Sequence, residues 1–474
     1  MRLFDTKVQH LKYKVLREVA KASLNDTLIH AYRDIPQNII KGPNPNYRCC
    51  IYKERAIISE RITLAMGGNQ SIDSPIEVIN IACDECPVGG YEVTRACRGC
   101  IAHRCKTVCP KEAISFDHNH RAVIDKDKCV ECGQCEKVCP YSAIVHYKRP
   151  CVNACPVEAI TMNNDNTATI DYDRCIECGA CVHQCPFGAI SDKSEILDVV
   201  ETLKDNALHK KKIYAIVAPS ISSQFSYASL NQVITGIKMM GFHDVVEAAL
   251  GADLAALLES KELSEKGFLT SSCCPSFVTY IEKHIKSMTP HISHNLSPMA
   301  LVGAHIKKHT PNAYTVFIGP CTSKKSEAKK DTVKGSIDAV LTFEELQALI
   351  DAYDINLSTL KAEDTLNNAS YYGRIFARTG GLSDAMRQAF KEQAIDFDFN
   401  PIVCSGIKES KTALLKASHN KLQANFIEGM ACEGGCIGGP CCLTHGPKDL
   451  KQVDRYGKEA YEKTIKDAVL PFEL

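Results

Sequence analysis

The chain has 474 residues, of which 45% are hydrophobic and 24% charged, and this length predicts about three domains. Lys plus Arg and Asp plus Glu both number 56, so the net charge of zero provides no general attraction to nucleic acid or to an anionic membrane. The chain contains 26 cysteines, but we find neither a secretory leader nor an apolar run of about 18 residues. This pattern predicts metal or redox chemistry in the cytoplasm rather than a disulfide scaffold.

The distribution of cysteines divides the chain into three parts. Residues 1–80 are cysteine-poor, residues 81–195 are cysteine-dense, and residues 196–474 combine strand-length apolar runs with helical patterns. We expect a mostly helical segment of unknown role, then a multi-cluster electron-transfer domain, and then a large α/β body with a short C-terminal tail. The helical segment is expected to cap the clusters at which electrons enter.

One cysteine motif is repeated in the dense part. The spacing Cx2Cx2Cx3CP occurs in Cys129–Pro140 and again in Cys175–Pro186. It is the spacing of bacterial ferredoxins, in which three close thiolates bind one [4Fe–4S] cluster and the fourth serves the neighbouring cluster. Cys97–Pro110 is a variant with four residues between its second and third cysteines, and Cys151–Pro156 is a truncated copy.

This exchange of the fourth cysteine predicts four accessory clusters. The first to fourth cysteine sets are Cys97, Cys100, Cys105 and Cys139; Cys109, Cys129, Cys132 and Cys135; Cys155, Cys175, Cys178 and Cys181; and Cys83, Cys86, Cys151 and Cys185. The fourth set uses Cys83 and Cys86 because they are the nearest spare Cx2C pair, and three clusters remain the alternative. Zinc is the alternative metal, since Cys83, Cys86, Cys97 and Cys100 have the spacing of a zinc ribbon. Cys49 and Cys50 are expected to be structural, although one of them could substitute in the fourth set.

Three strand-length apolar runs of the body each end in a cysteine loop. The loops are TSSCCPSF (270–277), GPCTSKKSEA (319–328) and EGMACEGGCIGG (428–439). Ligand loops at the carboxyl ends of strands are the usual arrangement in open α/β sheets, so we expect the three loops to converge.

The converging loops would supply four thiolates from three separate segments: Cys274, Cys321, Cys432 and Cys436. Such soft ligands suit an iron–sulfur cluster or zinc. Lys324 adds a fixed cation for an anionic ligand, and Cys273 is a spare thiol that could carry a proton. By contrast, we expect Cys404 to be a packing residue. The pair Cys441–Cys442 is also expected to pack at the wall, with a redox-sensitive pair as the alternative.

The three loops resemble the signature loops of [FeFe]-hydrogenases and occur in that family's order, with the resemblance covering roughly residues 85–445. It implies an α/β H-cluster domain of two lobes with small, mainly parallel sheets, preceded by α+β ferredoxin-like [4Fe–4S] repeats. The implied reaction is the reversible formation of H2 from two protons and two electrons. The implied partners are a ferredoxin-type electron carrier and the hydrogenase maturation proteins, with no role for nucleic acid or membrane.

The resemblance also implies roles for individual residues. Cys274, Cys321, Cys432 and Cys436 would hold the [4Fe–4S] part of the H-cluster, and Cys436 would bridge to a di-iron unit carrying CO, CN and an azadithiolate. Lys324 and the Pro219-Ser220 segment would face the cyanides, and Met430 would pack against the di-iron unit.

The same resemblance implies a proton path. Cys273 would pass protons to the bridging amine, and the path would continue through Glu259, Glu262 and a serine, either Ser293 or Ser297. The alternative interpretation of the two glutamates is a pair of solvated helix charges.

Some positions depart from the family pattern. Gly319 stands where a Met is usual, Glu433 where a Pro is usual, and Phe277 where a Trp is common, so the sequence is similar to a less-studied subgroup. These changes alter the pocket wall, so catalytic direction and oxygen tolerance are not predicted. An H2-sensing relative and an iron–sulfur assembly protein with a non-catalytic H-domain remain the alternative functions.

Overall fold

The computed structural model describes residues 3–87, 89–209, 211–362 and 365–472. The chain begins with helices, which are α1 Lys7–Leu24, α2 Leu28–Ala31, α3 Ile35–Ile39 and α4 Ile51–Ala65. The Thr6 hydroxyl accepts a hydrogen bond from the Gln9 N–H, and the Gln9 side chain accepts one from the Thr6 N–H. This capping box explains where α1 starts. The predicted helical character of the N-terminal segment is confirmed.

The cysteine-dense part, together with strand β1 just before it, consists of short strands and one-turn helices. In chain order they are β1 Ile76–Val78, β2 Gly90–Val93, α5 Arg104–Thr107, β3 Ile114–Phe116, β4 Ala122–Ile124, α6 Gln134–Lys137, β5 Ile144–Tyr147, α7 Pro150–Ala154, β6 Ile160–Met162, β7 Ala168–Ile170, α8 Ala180–Gln184 and β8 Ile190–Asp192. Strand pairs β3–β4 and β6–β7 are antiparallel, as are β2–β5 and β1–β8. The two halves repeat one fold, as the repeated motif predicts.

The rest of the chain forms an α/β body. Its elements are α9 Ile196–His209, β9 Ile213–Val217, α10 Leu230–Met239, β10 Asp244–Glu247, α11 Ala248–Lys266, β11 Leu269–Thr270, α12 Pro275–His284, α13 Pro298–His309, β12 Tyr314–Gly319, α14 Ser323–Glu327, β13 Ala339–Thr342, α15 Phe343–Ala352, α16 Tyr371–Arg374, α17 Gly381–Gln393, β14 Pro401–Ser405, α18 Ile407–Ser418, β15 Phe426–Met430, α19 Asp449–Lys458 and α20 Ile465–Val469.

Two small parallel sheets organise this body. One has the strand order β10-β9-β12-β13 and the other has the order β11-β15-β14. Their central strands β12 and β15 are almost wholly buried, which matches the continuous apolar runs of strands covered on both faces. The carboxyl ends of β9, β11, β12 and β15 lead into the loops of the candidate site.

Helix α1 packs against α9 and α15 of the body, not over the cysteine sets as expected. Its buried Leu16 and Val19 share one core with Leu346 and Leu349 of α15. The apolar face of α1 thus finds its partner in the body. Helix α4 also reaches towards the cysteine-dense part, where the Arg61 guanidinium donates a 2.8 Å hydrogen bond to the carbonyl of Gly188.

A buried charge network joins the three parts of the chain. The Lys12 ammonium of α1 contacts Asp192 of β8 and lies 2.6 Å from Glu344 Oε2 of α15. The Lys325 ammonium lies 3.2 Å from Asp192 Oδ2 and 2.9 Å from Glu345 Oε1. The four pairs are nearly inaccessible to solvent, so each charge depends on the others for compensation.

Among the residues that the structure describes, no helix is long and apolar enough to cross a membrane.

Candidate metal centres and proton path

A cavity of about 90 Å³ lies between the two parallel sheets of the body. The thiols of Cys274, Cys321, Cys432 and Cys436 all line it. The three segments that carry these thiols follow the ends of β11, β12 and β15, as the loops were expected to do. The remaining wall is almost entirely apolar and includes Pro219 after β9 and Met430 at the end of β15.

Local structure fixes the direction of each cysteine loop. Cys274 is the N-cap of α12, and Pro275 occupies the first turn, where its missing N–H costs no hydrogen bond. Between Cys432 and Cys436, Gly434 and Gly435 have φ values of 80° and 91°. A Cβ on Gly435 would lie 2.8 Å from the backbone N of Thr379, so this loop requires glycine for conformation and for close packing.

The four thiols form a site that favours a bound cationic metal group. Although Cys436 is exposed to the cavity, desolvation by the surrounding protein and the neighbouring thiols of Cys321 and Cys274 raise its pKa to about 12. The pKa of Cys432 is also raised well above its usual range. Metal binding compensates the cost of ionising such thiols, which are the soft ligands of iron–sulfur groups. The Ser220 hydroxyl, beside Pro219, is buried without a hydrogen-bond partner among the described residues. This unpaired donor, the four thiols and the apolar cavity fit a thiolate-bound iron group that carries polar ligands.

Lys324 lies at the edge of the cavity with its charge already compensated. Its ammonium donates hydrogen bonds to Glu327 Oε2 at 2.6 Å and to Ser297 Oγ at 3.0 Å. Burial alone would lower the pKa of Lys324, but the Glu327 carboxylate and the thiols of Cys321 and Cys273 together raise it. The lysine is therefore a permanent cation beside Cys321, and sequence reasoning did not identify its partner Glu327.

Phe317 is a wall residue that sequence reasoning also missed. A Cβ on Gly319 would lie 2.7 Å from the Phe317 ring, which itself lines the cavity. The absence of a side chain at position 319 makes room for this ring. The aromatic residue two positions upstream, inside a buried strand, gave no signal of that role.

Cys273 also lines the cavity, one position from Cys274. Burial raises the pKa of its thiol well above the usual range, and the nearby Glu259 carboxylate raises it further. The thiol therefore remains protonated at neutral pH until a base accepts its proton.

Glu259 and Glu262 lie on one face of α11, next to the loop that carries Cys273. Glu259 Oε1 accepts hydrogen bonds from the Ser272 hydroxyl at 3.1 Å and from its N–H at 3.3 Å. Oε2 of Glu259 is buried and has no hydrogen-bond partner in the described part of the chain. Burial raises the pKa of Glu259 to about 7, against the opposing effects of Ser272 and Ser293.

Ser293 lies between the two glutamates. Its hydroxyl donates a 2.7 Å hydrogen bond to Glu262 Oε2, and it is close enough to Glu259 to affect the pKa of that carboxyl group. Ser297, the other candidate serine, accepts a hydrogen bond from Lys324 instead. The geometry therefore favours Ser293 as the serine between the glutamates.

A second, outer cavity of about 490 Å³ adjoins the serines that contact Glu259 and Glu262. It is lined by Ser272, Ser293 and His294, among others. Glu262 is partly exposed and accepts a 2.7 Å hydrogen bond from Lys266. The glutamates thus differ in environment, since Glu259 is buried and Glu262 borders solvent.

The first two cysteine sets each surround a small cavity. Cys97, Cys100, Cys105 and Cys139 line one, and Cys109, Cys129, Cys132 and Cys135 line the other. Each cavity contains the cysteine that the neighbouring motif is expected to donate, Cys139 in one and Cys109 in the other.

The thiols of the third and fourth sets lie close enough to perturb one another. Burial raises the pKa of Cys178 to about 12, and Cys175 and Cys155 add to the shift. Burial raises the pKa of Cys151 to about 11, with further contributions from the thiols of Cys185, Cys83 and Cys86. The pKa of Cys181 is raised too, by burial and by the thiols of Cys178, Cys175 and Cys155. The structure therefore brings together all four members of both sets.

The remaining cysteines lie apart from these sites or pack at their edges. Cys50 caps α4, where its sulfur accepts the Lys53 N–H at 3.5 Å. Cys404, Cys441 and Cys442 are buried. The Cys442 thiol donates to the backbone carbonyl of Ile437, which is a packing contact behind the Cys436 loop.

Three family models match this chain. The model described as iron only hydrogenase large subunit, C-terminal domain, matches residues 211–440. The model of a 4Fe-4S dicluster domain matches residues 96–143, and the model of a 4Fe-4S binding domain matches residues 168–191.

Two hydrogenases share sequence with most of the chain, and an assembly factor shares sequence with about a third of it. Iron hydrogenase 1 of Clostridium pasteurianum is 28% identical over 411 residues, which cover 74% of this chain and 70% of that protein. The periplasmic [Fe] hydrogenase large subunit of Nitratidesulfovibrio vulgaris is 29% identical, covering 74% of this chain and 93% of that protein. A cytosolic Fe-S cluster assembly factor of Eremothecium gossypii is 33% identical over 165 residues, covering 32% of this chain and 37% of that factor. A solved [FeFe]-hydrogenase from Chlamydomonas reinhardtii covers 58% of this chain and 93% of that one, with 20% identity and a TM-score of 0.48.

Proposed function

Because the chain belongs to the family of iron-only hydrogenase large subunits, we propose that it is an [FeFe]-hydrogenase that interconverts protons, electrons and H2. The observation that carries the proposal is one cavity lined by four thiols and by the spare thiol of Cys273. Four thiols alone would suit electron transfer, but a fifth, protonated thiol beside them suits a reaction that consumes protons.

The proposed cofactors follow from the thiol groups. Cys274, Cys321, Cys432 and Cys436 would hold the H-cluster, which supplies the iron at which protons and electrons are combined. The four cysteine sets would hold four accessory [4Fe–4S] clusters, the fourth depending on Cys83 and Cys86. Pro219, Ser220, Lys324 and Met430 would position the polar ligands and the apolar contact of the H-cluster.

The chain itself provides a path for protons. Glu262 takes a proton from the solvated outer cavity, and the Ser293 hydroxyl passes it on by accepting one proton as it donates another. Glu259 has a pKa of about 7, so it can both accept and release a proton near neutral pH. Cys273 receives the proton from Glu259 and presents it to the cavity.

The electron path is proposed on the same grounds. The third set lies next to the cavity thiols. Its Cys178 is close enough to Cys432 to raise the pKa of that thiol. Electrons would be exchanged with a ferredoxin-type carrier, and the H-cluster would be completed by hydrogenase maturation proteins. The cytoplasmic location stays a prediction.

The direct test is H2 formation by protein matured and purified without oxygen. With reduced methyl viologen as electron donor, we expect H2 production at a rate that depends on Cys273. Correctly matured protein that carries its iron but neither forms nor consumes H2 would contradict the proposal.

An iron–sulfur assembly role is the second candidate, because the Eremothecium gossypii assembly factor matches part of this chain at 33% identity. Such a role needs clusters but no proton supply. The buried pathway from Glu262 to Cys273 and the paired Lys324–Glu327 favour the hydrogenase. An H2 sensor would retain both features, and a turnover that stays very low with intact Cys273 would favour it.

A further inference from the structure

The loop of the first cysteine set differs from the equivalent loops of the repeat. Its second and third cysteines, Cys100 and Cys105, are separated by four residues, whereas two residues separate them in both perfect motifs. The longer loop projects Ile101, which is 97% exposed. An isoleucine so fully in water has no packing role within this chain.

The projecting loop is held in place rather than loose. The His103 ring stacks on Phe116 of β3, with ring centroids 3.8 Å apart. The His103 N–H donates to the carbonyl of Cys100 at 3.3 Å. Ile101 is therefore presented from a fixed platform, which lowers the entropic cost of binding a partner.

Basic residues flank this isoleucine along the chain on both sides. The exposed basic residues of segment 95–111, which we call the cationic loop, are Arg95, Arg98, Arg104, Lys106 and Lys111. None of them forms an ion pair with any residue that the structure describes, and the segment contains no Asp or Glu. A protein with zero net charge thus places five exposed basic side chains without ion pairs at one cysteine set.

In the described part of the chain, the other three sets do not combine an exposed apolar residue with unpaired cations, although Val130 of the second set is 56% exposed. The second-set loop contains Glu131, which pairs with His146 at 3.3 Å. The third-set loop is covered by the body, since Lys283 donates to the carbonyl of Cys175 at 2.7 Å. At the fourth set, Lys53 and Arg48 of the N-terminal segment pair with Asp84.

We propose that the cationic loop is the docking surface for an acidic ferredoxin, which exchanges electrons at the first cysteine set. Exposed cations around an apolar centre match an acidic protein surface in charge and provide an apolar contact at its middle. The inference rests on the proposed function and names the entry point for its electrons. In the direction of H2 formation, two reduced ferredoxins each lose one electron, and two protons and two electrons give one H2.

The test measures binding as well as activity. The probe is an acidic two-[4Fe–4S] ferredoxin, titrated calorimetrically against the protein with its accessory clusters in place. The triple variant Arg98→Glu, Arg104→Glu and Lys106→Glu should raise the Kd at least tenfold and weaken its dependence on salt. The ratio of ferredoxin-linked to viologen-linked turnover should fall by a similar factor.

The matched control is Lys408→Glu, Lys411→Glu and Lys416→Glu on the exposed face of α18, which changes the net charge equally. This triple should change the Kd less than twofold. An equal effect of both triples would mean that net charge alone attracts the carrier, and that outcome overturns the docking site. Binding of the cationic loop to vesicles of anionic lipid, without binding to ferredoxin, would overturn it as well.

A second variant covers the possibility that charge reversal beside Cys97 and Cys105 disturbs the cluster. Ile101→Ser leaves the charge unchanged and should raise the Kd about threefold or more while the salt dependence stays the same. An unchanged Kd would contradict the proposal. Because binding needs no H2 chemistry, ferredoxin binding without H2 turnover overturns the proposed function alone. Viologen-linked H2 turnover with wild-type ferredoxin binding in both variants overturns the docking site alone.

Discussion

The proposed proton path depends on two groups, Cys273 and Glu259, whose pKa values are shifted in the same direction. Burial raises the pKa of both Cys273 and Glu259, so each holds its proton more tightly than it would in water. The Cys273 thiol at the cavity is therefore neutral. The Glu259 carboxyl group is near the midpoint of its titration at neutral pH. A surface pair would have neither property.

Replacing the thiol tests its role directly. We expect Cys273→Ser to lower the rate of H2 formation about 10²-fold or more, because a serine hydroxyl is a much weaker acid than a thiol. Iron content should stay at the wild-type value. The control is Cys404→Ala, since Cys404 is buried in the core away from the cavity, and it should keep most of the turnover. Equal rates for Cys273→Ser and wild type would remove this thiol from the proton path.

The raised pKa of Glu259 also predicts a pH dependence of stability. Folding favours the protonated form, so stability is fully present below the ordinary glutamate pKa of 4.5 and is lost as the pH rises through about 7. Glu259→Gln lacks this loss, whose upper limit is about 3 kcal/mol for a shift of this size. Unfolding by denaturant at pH 5.5 and pH 8 should show a smaller decrease for the variant. Identical pH profiles would indicate that Glu259 is not held protonated.

The N-terminal helix α1 takes part in the packing that supports the candidate site. Helix α1 is fastened to the body by an apolar face and by Lys12, which serves Asp192 and Glu344 together. Asp192 is also held by Lys325, the residue after Lys324. Helix α1, whose role the sequence does not reveal, therefore helps to hold the segment that carries Lys324 and Lys325.

Without the Lys12 charge, the buried carboxylates of Asp192 and Glu344 lose a compensating cation, which should destabilise the fold. We expect Lys12→Met to lower the free energy of unfolding by about 3 kcal/mol, the usual cost of leaving one side of a buried pair uncompensated. Lys7→Met is the matched control at an exposed position of the same helix, and its effect should stay below about 0.5 kcal/mol. Denaturant unfolding measures both, and equal effects would contradict the assigned role of Lys12.

The fourth cysteine set is tested by counting iron. Five four-iron groups predict about 20 iron atoms per chain before the di-iron unit is added. The double variant Cys83→Ala and Cys86→Ala should contain about 16. The control double variant Cys49→Ala and Cys50→Ala should keep about 20. An unchanged count in the first variant, or a loss of four in the second, would contradict the assignment of this set.

The sequence predicted what depends on local spacing and missed what depends on distant packing. Ligand motifs, helix caps and strand-end loops each depend on a few neighbouring residues. The cysteine sets and the cavity loops could therefore be inferred from the sequence. The choice between Ser293 and Ser297 depends on which hydroxyl faces α11, which no local pattern records. The partner of α1 was missed for the same reason, because an amphipathic pattern reveals a buried face but not what covers it.

At the scale of the whole molecule, the cysteine sets form two groups. The first and second sets share one small core, and the third and fourth are associated with a second core. The third set also meets the cavity, where the Thr322 hydroxyl donates to the carbonyl of Glu177 at 2.8 Å. The proposed electron and proton paths therefore reach the cavity through different elements, since the proposed proton path runs along α11 and the outer cavity.

The central claim is that thiols from three separate segments enclose a di-iron centre with inorganic ligands. Infrared spectroscopy of the anaerobically matured protein tests it most directly, because CO and CN bound to iron absorb where protein does not. We predict bands from both ligands in the wild type and their loss in Cys436→Ala, with the accessory iron retained. Matured protein that contains its iron but shows neither band would contradict the account.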